Sequence, residues 1–494
     1  MTTRSSGELL IANQWRAGSG PGFTSINPAT GQTVWSGAAA TASEIAAAIA
    51  AARSAQEAWG DQPPEARIAI LEASARELAE HGGPLADAIG LETGKPRWEV
   101  REELSSMVGK VAATIDAWRE RRQDRVSPLP AAGPGDVAAV RYRPHGVLAV
   151  LGPFNFPGHI PHGHIVPALL AGNAVVFKPS EFTPLSGRRL AEIWERAGLP
   201  AGVFNLVQGG RETGAALAAD SGHDGILFTG SYRTGVALRR LWVEEPGKML
   251  ALELGGNNPL VVHAASDLDA ATMLTILSAF LSAGQRCSCA RRLIVPEGAR
   301  GDAFVERLLT RIDGIRVGLP DDAPEPFMGP VIHESAARSL LAAQDDLLTR
   351  GGIGLRRMAP QRGISTLLSP GLIDVTAVRD RPDTEWFGPL LQLVRVPDFE
   401  AAIVEANRTA YGLAAALVSD ERPLYDAFRR RARAGIINWN RQTTGASARL
   451  PFGGLGRSGN HRPSGFFAID YCGSPVASLE RDRLTAPPAP PGLS

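Results

Sequence analysis

From about residue 146 the chain alternates short, wholly apolar runs with longer stretches whose apolar positions recur at helical spacing. GVLAVLGP (146–153) reads as a buried strand and HIVPALLAG (164–172) as a helix closed by Gly172. AVVFKPS (174–180) is a strand again, and LSGRRLAEIWERAGL (185–199) keeps its apolar residues on one helical face. The alternation continues through VFNLVQGG, ETGAALAAD, GILFTGS, TGVALRRLW and MLALELGG. Strands joined by helices of this length need right-handed crossovers, which predicts a parallel, doubly wound α/β sheet.

A second α/β run begins near Asn258. NPLVVHA, RRLIVPE and LLQLVRV read as strands, and LDAATMLTILSAFLSAG and FEAAIVEANR as helices. SPLPAAGPGD (127–136) has the composition of a linker and precedes VAAVRYRP, read as an edge strand or arm. The tail TAPPAPPGLS is too rich in proline to pack. Open parallel sheets bind ligands outside the carboxyl ends of their strands. There the first run places Asn155, Lys178, Gly210, Ser231 and Glu253.

Composition narrows the function. Lysine plus arginine (51) balances aspartate plus glutamate (51), so no net field draws the chain to nucleic acid or to an anionic membrane. With 44% hydrophobic and 21% charged residues, and no apolar run of membrane-spanning length, a soluble globular protein is expected. MTTRSSGELLIANQW lacks the apolar core of a secretory signal, and a reducing cytoplasm is the expected location. Three cysteines cannot build a disulfide framework, and no second pair is available for a zinc site. In SAGQRCSCARRL (282–293), Cys287 and Cys289 are therefore either inert hydrophobes or reactive thiolates.

Several short motifs lie at the predicted strand ends. Gly230-Ser-Tyr-Arg-Thr-Gly235 lacks the closing Gly-Lys-Ser/Thr of a phosphate loop, and alone it reads as a structural turn. Its backbone N–H groups at a helix start could nonetheless face a pyrophosphate. In KPSE (178–181), Lys178 and Glu181 are either a solvated loop pair or partners for a ribose diol, where a carboxylate would repel a 2′-phosphate. Asn155, held rigidly in PFNFP (153–157), is either a helix cap or a donor to a developing oxyanion. In ELGGNNP (253–259), Glu253 lies 34 residues before Cys287, a span that one helix and its loops can fold back. A carboxylate there is a candidate general base. His159, His162 and His164 lack companion ligands, so no metal is expected.

PFNFP, KPSE, FTGS, ELGG, GQRC, EWFGP and PFGG, taken in this order, resemble the aldehyde dehydrogenase superfamily over roughly residues 8 to 480. The resemblance implies the aldehyde dehydrogenase fold. Its expected parts are a Rossmann-like NAD-binding domain (1–124 and 145–252), an α/β catalytic domain (253–449) and a small oligomerisation sheet (125–144 and 465–487). It implies Cys287 as nucleophile, Asn155 as oxyanion donor and Glu253 as the base that activates hydrolytic water, with Cys289 as packing. It places NAD against Lys178, Ser180, Glu181, Gly210, Gly230, Ser231, Tyr232, Arg233, Thr234, Gly235, Glu385 and Phe387.

A closer resemblance, carried by LGPFNFPGHIPHGHIVPALLAGN, NLVQGGRETG, AGQRCSCARRL and GNHRPS, is to members acting on an N-succinylated glutamate semialdehyde in arginine breakdown. For its carboxylates the candidates are Arg286, Arg441, Arg449 and His159. Relatives acting on succinic semialdehyde use arginines where this chain has Gly163 and Leu281, a departure that argues against the shorter substrate. The implied partners are a small semialdehyde and further copies of the chain, as a homodimer or homotetramer. The alternatives are another acidic semialdehyde, transfer of the acyl group to CoA, and a non-catalytic protein that kept the fold.

Overall fold

The computed structural model describes residues 8–129, 136–486 and 489–492. Two seven-stranded sheets organise it. In the first, Val147–Leu151 lies centrally, with Ala174–Lys178 and Phe204–Leu206 on one side and Gly225–Gly230 and Met249–Leu254 on the other. These five strands run parallel, as the apolar runs predict. The alternation did not reveal the antiparallel hairpin Leu9–Ile11 and Gln14–Arg16, which completes one edge through Leu10 opposite Leu206. Strands of only three residues carry too little period to be read from the pattern.

Every residue of Val147–Leu151 and Ala174–Lys178 is buried, because helices cover both faces of the sheet. On one face Leu148, Val150, Val175 and Phe177 pack with Ile165, Leu169, Leu190 and Trp194. On the other, Val147, Ala149 and Val176 pack with Ile45, Ile49 and Leu217. The second sheet has the spatial order Ile353–Arg356, Gly371–Asp374, Leu390–Val396, Ala290–Pro296, Asn258–Val262, Ala414–Val418 and Ile436–Trp439. It is parallel except for its first edge strand.

The stretch expected as an edge strand or arm is the middle strand of a three-stranded sheet. Asp136–Pro144 pairs antiparallel with Arg125–Pro128 and, over nine residues, with Gly473–Arg481. Alternation alone identifies a strand but not how many neighbours flank it. Ser127 and Pro128 of the expected linker belong to the outer strand, and residues 130–135 lie outside the described residues. The described residues of the proline-rich tail carry no helix or strand, and 487–488 and 493–494 lie outside them. Among the described residues no helix is long and apolar enough to cross a membrane.

Candidate active site

In the first sheet the strand order reverses between Val147–Leu151 and Gly225–Gly230, which makes a crevice at their carboxyl ends. The first of these strands runs on into Pro153–Asn155 and the second into Ser231. From the sheet's edge, Met249–Leu254 delivers Glu253 and then crosses directly to Asn258–Val262 in the second sheet. The cysteine loop precedes Ala290–Pro296, the neighbour of that strand. Carboxyl ends of one sheet thus meet amino ends of the other, across a cleft of 1370 Å³ lined by Asn155, Glu253 and Cys287 among others.

Cys287 and Cys289 have different surroundings. Cys287 is partly accessible and lines the cleft, whereas Cys289 is fully buried, with its sulfur 3.7 Å from the Leu281 carbonyl. The helix Leu268–Phe280 ends before the cysteines because Ser282, Ala283 and Gly284 all take left-handed backbone conformations, with φ of 53°, 53° and 71°. A Cβ at Gly284 would lie 2.1 Å from the Gly388 carbonyl oxygen, so only glycine fits.

Side chains from elsewhere then hold the loop. Asn258 Nδ2 donates to the carbonyls of Cys287 (2.7 Å) and Cys289 (2.8 Å). Arg291, fully buried, donates to the carbonyls of Gly284 (2.7 Å) and Arg286 (3.0 Å). Asn155 Nδ2 donates to the Gln285 carbonyl at 2.9 Å, and the second N–H of that amide remains for another acceptor. Asn258, Gln285 and Arg291 were not among the expected site residues. Their work is done through backbone carbonyls, so ELGGNNP and SAGQRCSCARRL contain all three without showing what each one holds.

Two carboxyls face the thiol. Glu253, 2% exposed, lies within hydrogen-bonding reach of Cys287 while its Oε1 has no partner. Burial, then the neighbouring Glu385, pushes its pKa up to about 8. Burial also raises Glu385, to about 7, against the pull of Arg291, whose guanidinium lies 3.9 Å away. The Cys287 thiol is driven well above its ordinary range by burial and then by Glu253. The thiol must therefore give up its proton before it can act as a nucleophile.

The expected cofactor residues lie together along the cleft: Lys178, Ser180, Glu181 and Gly210 beside the Gly230–Thr234 turn, with Glu385 and Phe387 near the cysteine. A volume of 1370 Å³ exceeds the ~300–1,000 Å³ of an ordinary small-molecule pocket and leaves room for an elongated ligand. Ser231 caps the helix Tyr232–Leu241, its hydroxyl taking the Thr234 N–H at 3.2 Å. The other N–H groups of that first turn have no intrahelical partner and suit a pyrophosphate. Lys178 is buried, with Nζ on the Pro179 carbonyl at 2.6 Å, and burial lowers its pKa to about 8. Phe387 packs edge-on against Phe154, their centroids 5.9 Å apart. These groups fit a dinucleotide. Gly235 is the exception: it packs against the Leu254 side chain and does not line the cleft.

The expected substrate cations are placed differently. Arg286 turns away from the cleft to Glu99, at 2.8 Å, and the Ser282 hydroxyl, at 2.9 Å. There the guanidinium neutralises a carboxylate only 1% exposed, a demand invisible from its place beside the cysteine. Arg449 is 64% exposed and reaches Asp116 at 2.8 Å, while Arg441 is exposed. His159 Nδ1 is buried without a hydrogen-bond partner, and burial followed by the Lys110 charge depresses its pKa. The other two histidines do not converge on it. His162 stacks on Trp194, and His164 Nε2 meets Thr229 Oγ1 at 2.8 Å.

Comparison with known proteins places this geometry. Residues 15–474 match the model of the aldehyde dehydrogenase family. The chain is 54% identical to N-succinylglutamate 5-semialdehyde dehydrogenase of Pseudomonas fluorescens, covering 97% of this chain and 98% of that one. It is 53% identical to the protein of the same name from Ectopseudomonas mendocina, over 97% of each. Among solved structures, an NADP-dependent enzyme of E. coli superposes with a TM-score of 0.89 at 31% identity, covering 96% of this chain and 98% of that one.

Proposed function

The chain belongs to the aldehyde dehydrogenase family, and on that premise we propose that it oxidises N-succinylglutamate 5-semialdehyde to N-succinylglutamate with NAD. The observation that carries the chemistry is the Glu253 carboxyl set against the Cys287 thiol at the floor of a cleft large enough for dinucleotide and aldehyde together.

The steps follow from the groups present. The Cys287 thiol gives up its proton to solvent and its sulfur attacks the aldehyde carbon, making one C–S bond and an oxyanion. The free N–H of Asn155 and the Cys287 backbone N–H hold that oxyanion. Bound NAD supplies the acceptor for the aldehyde's hydride. Cys287 then carries a thioester, and Glu253 takes a proton from the attacking water. The C–S bond breaks and the acid leaves. A base in this position favours hydrolysis over transfer to CoA.

NAD is preferred over NADP because Glu181, on the cleft beside Lys178, would accept from ribose hydroxyls and repel a 2′-phosphate. The substrate rests on the likeness to the two 53–54% identical relatives. Its test is NADH formation with a panel of N-succinylglutamate semialdehyde, glutamate semialdehyde and succinic semialdehyde. The first should give the highest kcat/KM, and a smaller aldehyde in that place overturns the substrate while leaving the family.

A further inference from the structure

Between the helix Arg97–Arg121 and the first turns of His159–Leu170 lies a buried charge cluster that the chemistry above does not use. It holds three cations and two carboxylates. Lys95 pairs with Glu103 at 2.6 Å, with 6% and 0% of their side chains exposed. Arg286 pairs with Glu99 at 2.8 Å. The third cation, Lys110, is 5% exposed, and among the described residues its ammonium makes no hydrogen bond or ion pair. Among the described residues no carboxylate reaches it. Its pKa is lowered to about 8 by burial alone, with no carboxylate acting against that.

A lone buried ammonium is costly, and such a group is kept where something else completes it. The histidines around it do not: burial and Lys110 together depress His162 and His164 to about 3, so both are neutral. Gly163 makes space beside the ammonium, since a Cβ there would lie 3.2 Å from Lys110 Cε and 3.6 Å from Nζ. The cluster also adjoins the reactive loop. Phe156, next to Asn155, has Lys95 Nζ 3.7 Å and Arg286 Cζ 5.0 Å from its ring centre. His159, one turn further on, feels the Lys110 charge.

We infer that Lys110 is the specificity-determining residue of this enzyme, its ammonium, uncovered by Gly163, binding a free carboxylate of the semialdehyde. The inference deepens the proposed function and rests on its acidic substrate.

The test uses the full-length protein with Lys110→Met, which keeps the chain length and removes the charge, and Gly163→Ala, which keeps the charge and crowds it. For each, kcat and KM are measured with N-succinylglutamate semialdehyde and with hexanal, and the Kd of the product N-succinylglutamate is measured by calorimetry. For Lys110→Met, loss of one charge-assisted pair should lower the ratio of kcat/KM, acidic over neutral aldehyde, by about 10- to 100-fold. The change should lie in KM, and product affinity should fall in parallel. The melting temperature should not drop, because a lone buried charge has been removed. Gly163→Ala should lower the ratio in the same direction. A ratio within twofold of the unmodified protein, or equal losses on both aldehydes, overturns the inference. If the unmodified protein prefers succinic or glutamate semialdehyde, the substrate assignment fails by itself. Lys110→Met must then cost that aldehyde the same 10- to 100-fold, or the inference fails with it.

Discussion

Glu253 and Cys287, 34 residues apart in sequence, face each other with the carboxyl 2% exposed and in hydrogen-bonding reach of the thiol. One comes from the carboxyl end of the first sheet, the other from the amino side of the second. Glu253→Gln keeps the size and removes the base for thioester hydrolysis. A pre-steady-state burst of NADH followed by slow turnover is expected. Loss of the burst itself would place Glu253 in thiol activation or hydride transfer instead.

The same carboxyl sets a pH dependence. Its pKa is raised to about 8, so at lower pH it is protonated and cannot accept a proton. Under hydrolysis-limited conditions kcat should rise with pH through about 8 and level off above it. Because Glu385 titrates nearby, at about 7, the apparent values belong to the pair. A kcat that stays flat between pH 6 and 8 refutes the assignment.

Cys287→Ala should abolish dehydrogenase turnover while NAD still binds, since only this thiol reaches the cleft. Cys289→Ala should keep substantial activity, because its sulfur is sealed beneath the loop against Leu281. Activity measurements on the two variants decide, and a reversed result means that the nucleophile has been misassigned.

Glu181→Ser should narrow the preference for NAD over NADP by removing the carboxylate from the ribose end of the cleft. Paired kcat/KM values for the two cofactors test this. Equal use of both by the unmodified protein contradicts it.

Arg286→Met strands Glu99, 1% exposed, without its cation. Breaking a buried pair in this way costs about 3–5 kcal/mol, so denaturant unfolding should show the loss. The acidic-over-neutral aldehyde ratio should hardly move. A specificity loss without destabilisation would return Arg286 to the substrate.

What the sequence by itself determined was whatever is local. Period-two and period-3.6 runs marked the strands and helices around the crevice. GQRC, ELGG and KPSE marked residues that the fold gathers on one cleft, because a crossover of ordinary length returns each strand end to the same edge of the sheet. The family followed from those motifs in order. The tertiary structure alone decided which strand of the three-stranded sheet lies in the middle, and which charges are already matched. Arg286 stands beside the cysteine in sequence, yet its charge is matched by Glu99, 187 residues away. Lys110 sits in an unremarkable helical stretch, yet among the described residues its buried ammonium meets no anion. A side chain's identity is written locally, but what a buried charge does depends on which charges surround it, and those are brought together only when distant segments pack.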